Sequence, residues 1–191
     1  VKRCEHIVDS ASNGTMGYVH VRGMDDESYR TVYEDALGKF YNKKALVVDT
    51  RFNGGGWLHD DVATFLRGKT YMREEPRGQI LATEPQFKWQ RPSVGDMSES
   101  NYSDAHMFPV TYRALGVGKL VGMPVPGTGT AVWWESLQND MVFGIPQVGM
   151  IDNAGNYLEN QQLEPDVRQP LVPAVVSQGR DQQLEAAVKL L

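Results

Sequence analysis

Hydrophobic and polar positions change period along this chain in a regular way. Between Met16 and Arg22, Tyr18, His20 and Arg22 alternate with Gly17, Val19 and Val21, the two-residue period of a strand. From Asp25 onward, Tyr29, Val32, Tyr33, Ala36, Leu37 and Phe40 recur at helical spacing. Asp25 and Asp26 stand where carboxylates cap free N–H groups and suit the helix dipole. Ala45-Leu46-Val47-Val48 is a short unbroken apolar run, the signature of a strand buried on both faces. Strand, helix and buried strand make a βαβ unit, so a right-handed crossover between parallel strands is expected. Val1 to Asn13 is polar with one weak apolar patch and reads as a lead-in.

The second half repeats the alternation less cleanly. Asp60 to Leu66 reads as a short helix stopped by Gly68, and Lys69 to Thr83 as two strands around Glu75-Pro76-Arg77-Gly78. Arg91 to Met97 occupies the place of another core strand, although Gly95 and Asp96 make it a poor one. Ala105 to Leu115 has helical spacing, interrupted by Pro109 and stopped by Gly116, and Lys119 to Gly122 is a short buried strand. Ala131 to Leu137, Met141 to Ile151 and Asn156 to Asn160 are strand-like, and Asp181 to Leu191 is a helix. Alternating strands and helices argue for an α/β sheet covered on both faces.

Composition narrows the function classes. At 191 residues, 41% apolar and 23% charged, the chain is long enough for one sizeable core. A formal charge of −5, with no basic run, argues against a nucleic-acid surface. No apolar run approaches the ~20 residues of a membrane span, and no secretory signal pattern opens the chain. It begins on Val1, so a processed protein or a piece of a longer one is expected. Cys4 is the only cysteine, which excludes an internal disulfide and any cysteine-cluster metal site. No metal or cofactor is expected.

Candidate chemistry starts at the carboxyl end of the buried run, where Asp49-Thr50-Arg51-Phe52-Asn53 leads into Gly54-Gly55-Gly56. Glycines there free the backbone for positive φ and for close approach by a ligand, at the strand end where α/β sheets bind ligands. The spacing fits neither the phosphate loop nor the dinucleotide fingerprint. An oxyanion cradle and a plain tight turn both remain open. Asn101-Tyr102-Ser103-Asp104 lies where a strand hands over to a helix, which exposes a serine beside outward-pointing N–H groups. The Asp104 amide and a Gly54–Gly56 amide can then be the two oxyanion donors, while a simple N-cap is the alternative. Positions 107 and 108 are Met and Phe, so no lysine base follows Ser103 by one helical turn. His106, three residues on, is the nearest histidine candidate for a base or pocket residue. His59 is assigned to the following helix, His20 to the sheet, and His6 has no role. Glu159, at a strand end, can orient a base or simply be a solvated loop acid. Trp133 and Trp134 offer core packing or a substrate wall.

Four motifs in order now carry a resemblance: the strand with Asp-Thr-Arg-Phe-Asn-Gly-Gly-Gly, then Asn-Tyr-Ser-Asp-Ala, then Gly-Lys-Leu-Val-Gly-Met-Pro-Val-Pro-Gly-Thr, then Leu-Glu-Asn-x-x-x-Glu-Pro-Asp. From about Thr15 to Leu191 the chain resembles the tail-specific (C-terminal-processing) serine peptidases, and within them the tricorn protease-like branch. The resemblance implies an α/β, crotonase-like core of ββα units with a mostly parallel sheet. Residues 1–14 are then a lead-in from an upstream domain, and 15–191 the peptidase core. By motif, Ser103 is the nucleophile, the Asp104 amide and a Gly54–Gly56 amide are the oxyanion hole, and Glu159 supports the catalytic machinery. Glu74 falls in the region of an acidic specificity residue. Tricorn-like enzymes draw the catalytic histidine from a segment ahead of a PDZ domain, which nothing here matches.

The expectation is therefore a serine peptidase core acting on peptide or protein substrates, whose base comes from outside the chain and whose isolated activity is low. Oligomerisation is compatible with it. Extracytoplasmic location is usual for bacterial relatives, although the tricorn enzyme itself is cytosolic. The alternatives are a non-catalytic ligand- or peptide-binding module of the same fold, and a crotonase-type acyl-CoA enzyme, for which no basic cluster is present.

Overall fold

The computed structural model describes residues 1–191. Helix α1 (Lys2–Ala11) precedes strand β1 (Met16–His20), helix α2 (Asp26–Glu34) and strand β2 (Ala45–Asp49). Helix α3 (His59–Arg67), the hairpin β3 (Met72–Glu74) and β4 (Ala82–Glu84), strand β5 (Ser93–Met97) and helix α4 (Asp104–Ala114) follow. Then come β6 (Lys119–Gly122), the hairpin β7 (Thr130–Ser136) and β8 (Val142–Gly149), β9 (Val167–Arg168), and helices α5 (Pro173–Val176) and α6 (Gln182–Leu190). The main sheet runs β1-β2-β5-β6-β9 and every pair in it is parallel. The two hairpins are antiparallel, so the α/β fold with a mostly parallel sheet is as expected. No helix is long and apolar enough to cross a membrane.

Both faces of the sheet are covered because its strands are apolar at successive positions rather than alternate ones. Val19, Leu46, Val48, Met97 and Leu120 face α2, α3 and α4 and pack on Val32, Phe65 and Phe108. Tyr18, Val47, Val94 and Val121 face α1 and α6 and pack on Val8 and Leu184. The stretch read as a lead-in is thus a structural helix. Val8 is fully buried, with Cys4 and Ile7 packed beside it; Ile7 and Val8 lie three and four residues beyond Cys4, on one face of α1.

Two other readings change for physical reasons. Strand β5 forms in spite of Gly95, whose missing Cβ leaves room for the Leu120 side chain of β6: a Cβ there would come within 2.8 Å of Leu120 Cδ2. Asn156 to Asn160 does not form a strand. Beyond a single bridge between Ile151 and Tyr157, its backbone bonds to Met150 and to Gly127. Strand β9 escapes the pattern because two residues are too few to show a period.

The ends of β2 and β5 are held by one buried cation. Arg51 forks onto Asp49 through Nε (2.9 Å) and Nη2 (2.7 Å), and its Nη1 reaches Asp181 (3.0 Å) and Gln183 (2.9 Å) on α6. Asp96 of β5 lies 3.2 Å from Arg51 Nε as an ion pair without hydrogen-bond geometry. Burial pushes the Asp96 carboxyl well above its ordinary range, with Arg51 opposing the shift. Asp181 also caps α6 by accepting from the Gln183 and Leu184 amides. Replacing Arg51 with Met leaves these carboxylates without their buried counter-charge, an expected loss of about 3–5 kcal/mol. Urea unfolding at neutral pH checks this, and an unchanged midpoint contradicts it.

Candidate active site

Because β2 and β5 are neighbours in register, with Asp49 opposite Asp96, the loops leaving their carboxyl ends lie side by side. One loop carries Gly54–Gly56 and the other Ser103 and Asp104. A Cβ at Gly55 would stand 2.8 Å from the Ser103 Cβ and 2.9 Å from the Tyr102 carbonyl oxygen, so the two loops touch through bare backbone. Gly54, Gly56, Ser103 and Asp104 line a common cavity of about 840 Å³, walled by Trp57, Trp133 and Trp134.

Both turns are built by buried asparagines. Asn53 donates from its side chain to the Val21 carbonyl (2.8 Å) and accepts from the Gly55 amide (2.8 Å), while its own carbonyl accepts from Tyr102 N–H (3.0 Å). Asn101 accepts from the Ser98 amide (3.1 Å) and donates to Thr50 Oγ1 (2.9 Å) and the Ala105 carbonyl (3.2 Å). That carbonyl lacks its usual helical donor because Pro109, four residues on, has no N–H. Pro109 inside α4 and Asn101 ahead of it are thus two halves of one solution.

Ser103 is held at φ 54°, ψ −122°, a conformation costly for a residue with a side chain. It stands at the N-cap position of α4, yet its side chain makes no capping hydrogen bond. The N-cap reading therefore fails and the hydroxyl is uncommitted. Its amide donates to Thr128 Oγ1 (3.0 Å). The Asp104 amide donates to nothing within the chain, as expected at the first turn of a helix. Among the glycines, the Gly55 amide is taken by Asn53, whereas those of Gly54 and Gly56 are free. Gly55 C=O accepts from Met24 N–H (3.0 Å), so the N–H at the far end of that peptide, Gly56's, points away from Met24.

The Asp104 carboxylate belongs to the neighbouring helix. Oδ2 accepts from the His59 amide (3.0 Å) and Oδ1 lies 2.6 Å from His59 Nδ1, capping the start of α3. Burial opposes the charge on His59, but Asp104, with Asp60 and Asp61, outweighs it and raises the pKa above the ordinary histidine value.

Glu159 does not line the cavity. Its Oε2 accepts from Thr130 Oγ1 (2.6 Å), so Gly127-Thr128-Gly129-Thr130 links Ser103 at Thr128 to Glu159 at Thr130. His106 does not join them. Ser103 is not helical, so the helical three-residue spacing does not carry from it to His106. His106 lines a separate cavity of about 390 Å³ with Val110 and Leu158. Neither of its ring nitrogens has a partner, and burial lowers its pKa against the pull of Glu159. Glu74 is exposed on β3 and lines another cavity with Tyr33 and Tyr71, apart from Ser103. Trp134 is 70% exposed, which removes the core-packing reading for it. Sequence reasoning missed the contact of Thr128, the last residue of the third motif, with the Ser103 amide, and the partnership of His59 with Asp104, which joins positions 45 apart.

The profile of Peptidase family S41 matches residues 15–169. The chain is 27% identical over 197 residues to the tricorn protease of Thermoplasma volcanium, covering 100% of this chain and 19% of that protein. To tricorn protease homolog 1 of Streptomyces coelicolor it is 29% identical over 185 residues, covering 96% of this chain and 17% of that one. The chain thus spans under a fifth of the length of these relatives. A crystal structure of the tricorn protease superposes with TM-score 0.81 at 27% identity, over 97% of this chain and 18% of that chain. The photosystem II D1 C-terminal processing protease has the same fold, with TM-score 0.64 at 19% identity over 92% of this chain and 48% of its own.

The raised pKa of His59 gives a sign. Its contribution to stability is complete below about 6.5, the unfolded value, and is lost as the pH rises through the folded one. Asp104→Asn leaves burial as the main influence and should bring the His59 pKa down. An NMR titration of the ring protons checks this, and an unshifted titration contradicts the pairing.

Proposed function

Since the chain belongs to peptidase family S41, we propose that it is the catalytic core of a serine peptidase working through an acyl-enzyme on Ser103. The observation that carries the reading is the strained Ser103 turn, whose hydroxyl is uncommitted and which lies beside free amides on two separate loops, Asp104's on one and those of Gly54 and Gly56 on the other. Ser103 Oγ attacks the carbonyl carbon of the scissile peptide and passes its proton to a histidine base. The carbonyl oxygen, now an anion, accepts from the Gly56 and Asp104 N–H groups. The tetrahedral species then collapses, the C–N bond breaks, and the base returns the proton to the leaving amine. Water hydrolyses the resulting ester and frees Ser103.

No histidine side chain of this chain hydrogen-bonds to the Ser103 hydroxyl: His59 bonds through Nδ1 to Asp104 without a bond to Ser103, and His106 lines another cavity. The base is therefore assigned to a histidine-bearing segment elsewhere in the full-length protein, ahead of a PDZ-like domain, as in the tricorn-like branch. Glu159, tied through Thr130 to the Thr128 contact of Ser103, is assigned to support that base. The substrate is a peptide or protein segment lying along Trp57, Trp133 and Trp134. These tryptophans also fit the competing reading, a binding module of the same fold without chemistry.

A fluorophosphonate probe separates the two. It should label the full-length protein at Ser103, and Ser103→Ala should abolish both labelling and peptide hydrolysis. Equal labelling of the alanine variant would sink the assignment, and absence of labelling and turnover in the wild-type protein would favour the binding module.

A further inference from the structure

We propose that His59 is a positioning residue of the oxyanion hole, holding the Asp104 amide and the Gly56 amide in one fixed frame. The proposal rests on Ser103 as nucleophile. The two donors sit on different loops, which no covalent bond links locally and which end on neighbouring strands. On one side the frame is closed by Tyr102 N–H donating to the Asn53 carbonyl at 3.0 Å. On the other side, where α3 packs on α4, the hydrogen bonds that close it both come from His59. Three residues beyond Gly56, its main-chain N–H and its Nδ1 each take one oxygen of the Asp104 carboxylate, at 3.0 and 2.6 Å.

Two bonds to two oxygens fix both the position and the rotation of that carboxylate. Through the two short torsions χ1 and χ2 they restrain the backbone of Asp104, whose N–H is the donor. Asp104 is 3% exposed, so water does not readily replace a lost bond. His59 keeps a 23% exposed side chain on the Ser103 cavity. With Nδ1 engaged, Nε2 is the nitrogen left for that space. A helix start needs only a small polar cap; a bidentate clamp across two loops at the nucleophile does more than end a helix.

Geometry at this point governs rate more than affinity, because the oxyanion exists only after attack. The test uses the full-length protein, a peptidyl-aminomethylcoumarin substrate that it turns over, and the aldehyde of the same peptide. His59→Leu should lower kcat by about 10- to 100-fold with little change in KM, since small misplacement of such donors costs rates of that order. The affinity of the aldehyde, whose hemiacetal oxygen occupies the hole, should fall in step with kcat. The Ki of the product peptide acid should stay constant. His59→Asn, whose amide nitrogen reproduces the Nδ1 donor, should recover most of the loss, whereas His59→Gln should not.

A His59→Leu enzyme with unchanged kcat, a loss confined to KM, or an Asn variant no better than Leu would each overturn the proposal. Turnover by Ser103→Ala would instead overturn the peptidase reading beneath it. With all three His59 variants compared at equal folded concentration by circular dichroism, a folding defect is not mistaken for a positioning effect.

Discussion

The Arg51 guanidinium is the constraint on which the site depends. It sits 5% exposed between Asp49 on β2, Asp96 on β5 and Asp181 at the start of α6, within the Thr50–Asn53 turn that leads into the glycines. A buried ion cluster of this kind is weak as a source of net stability, because desolvation offsets most of the attraction. Its value lies in specificity. Only one arrangement of the β2 and β5 ends and of α6 satisfies the planar donor fork. Tyr18 completes it by donating to Asp49 Oδ2 at 2.7 Å, which ties in the edge strand β1. With both strand ends fixed, the glycine loop and the serine loop have nowhere to diverge.

From that base the site is assembled by polar side chains that replace missing backbone bonds. Asn53 and Asn101 shape the two turns, and Asn101 takes up the carbonyl that Pro109 leaves without a donor. Thr128 and Thr130 connect Ser103 to Glu159 through a segment whose glycines, Gly127 and Gly129, lie against the backbone of Leu158 to Gln161. Strain at Ser103 is thus surrounded by contacts that over-determine it, the condition under which such conformations persist.

Much of this was legible in the sequence because the signals were periodic or local. The Ala45–Val48 run, the helical spacing from Tyr29 to Phe40 and the glycines after Asn53 each appear within a short window. The joining of Ser103 with Gly54–Gly56 was read from the motifs, and the parallel pairing of β2 with β5 brings their loops side by side. What stayed hidden depends on partners far away in the chain. Arg51 looked like one letter of a motif until Asp181, 130 residues on, supplied its counter-charge. Asp96 looked like a flaw in a strand and is a partner of that cation. His106 looked like a neighbour of Ser103 only while Ser103 was counted as helical. The polar stretch before Thr15 hid helix α1, because a single fully buried residue, Val8, makes too narrow a stripe to register.

The central claim is that two backbone amides on different loops, Gly56 and Asp104, together receive the oxyanion formed at Ser103. A crystal structure of the full-length protein with a peptide aldehyde bound to Ser103 tests it most directly. The hemiacetal oxygen should lie about 2.7–3.1 Å from both amide nitrogens, the range for donors aimed at an oxyanion. An oxygen turned to solvent, or held by side chains while either amide stands apart, would contradict it.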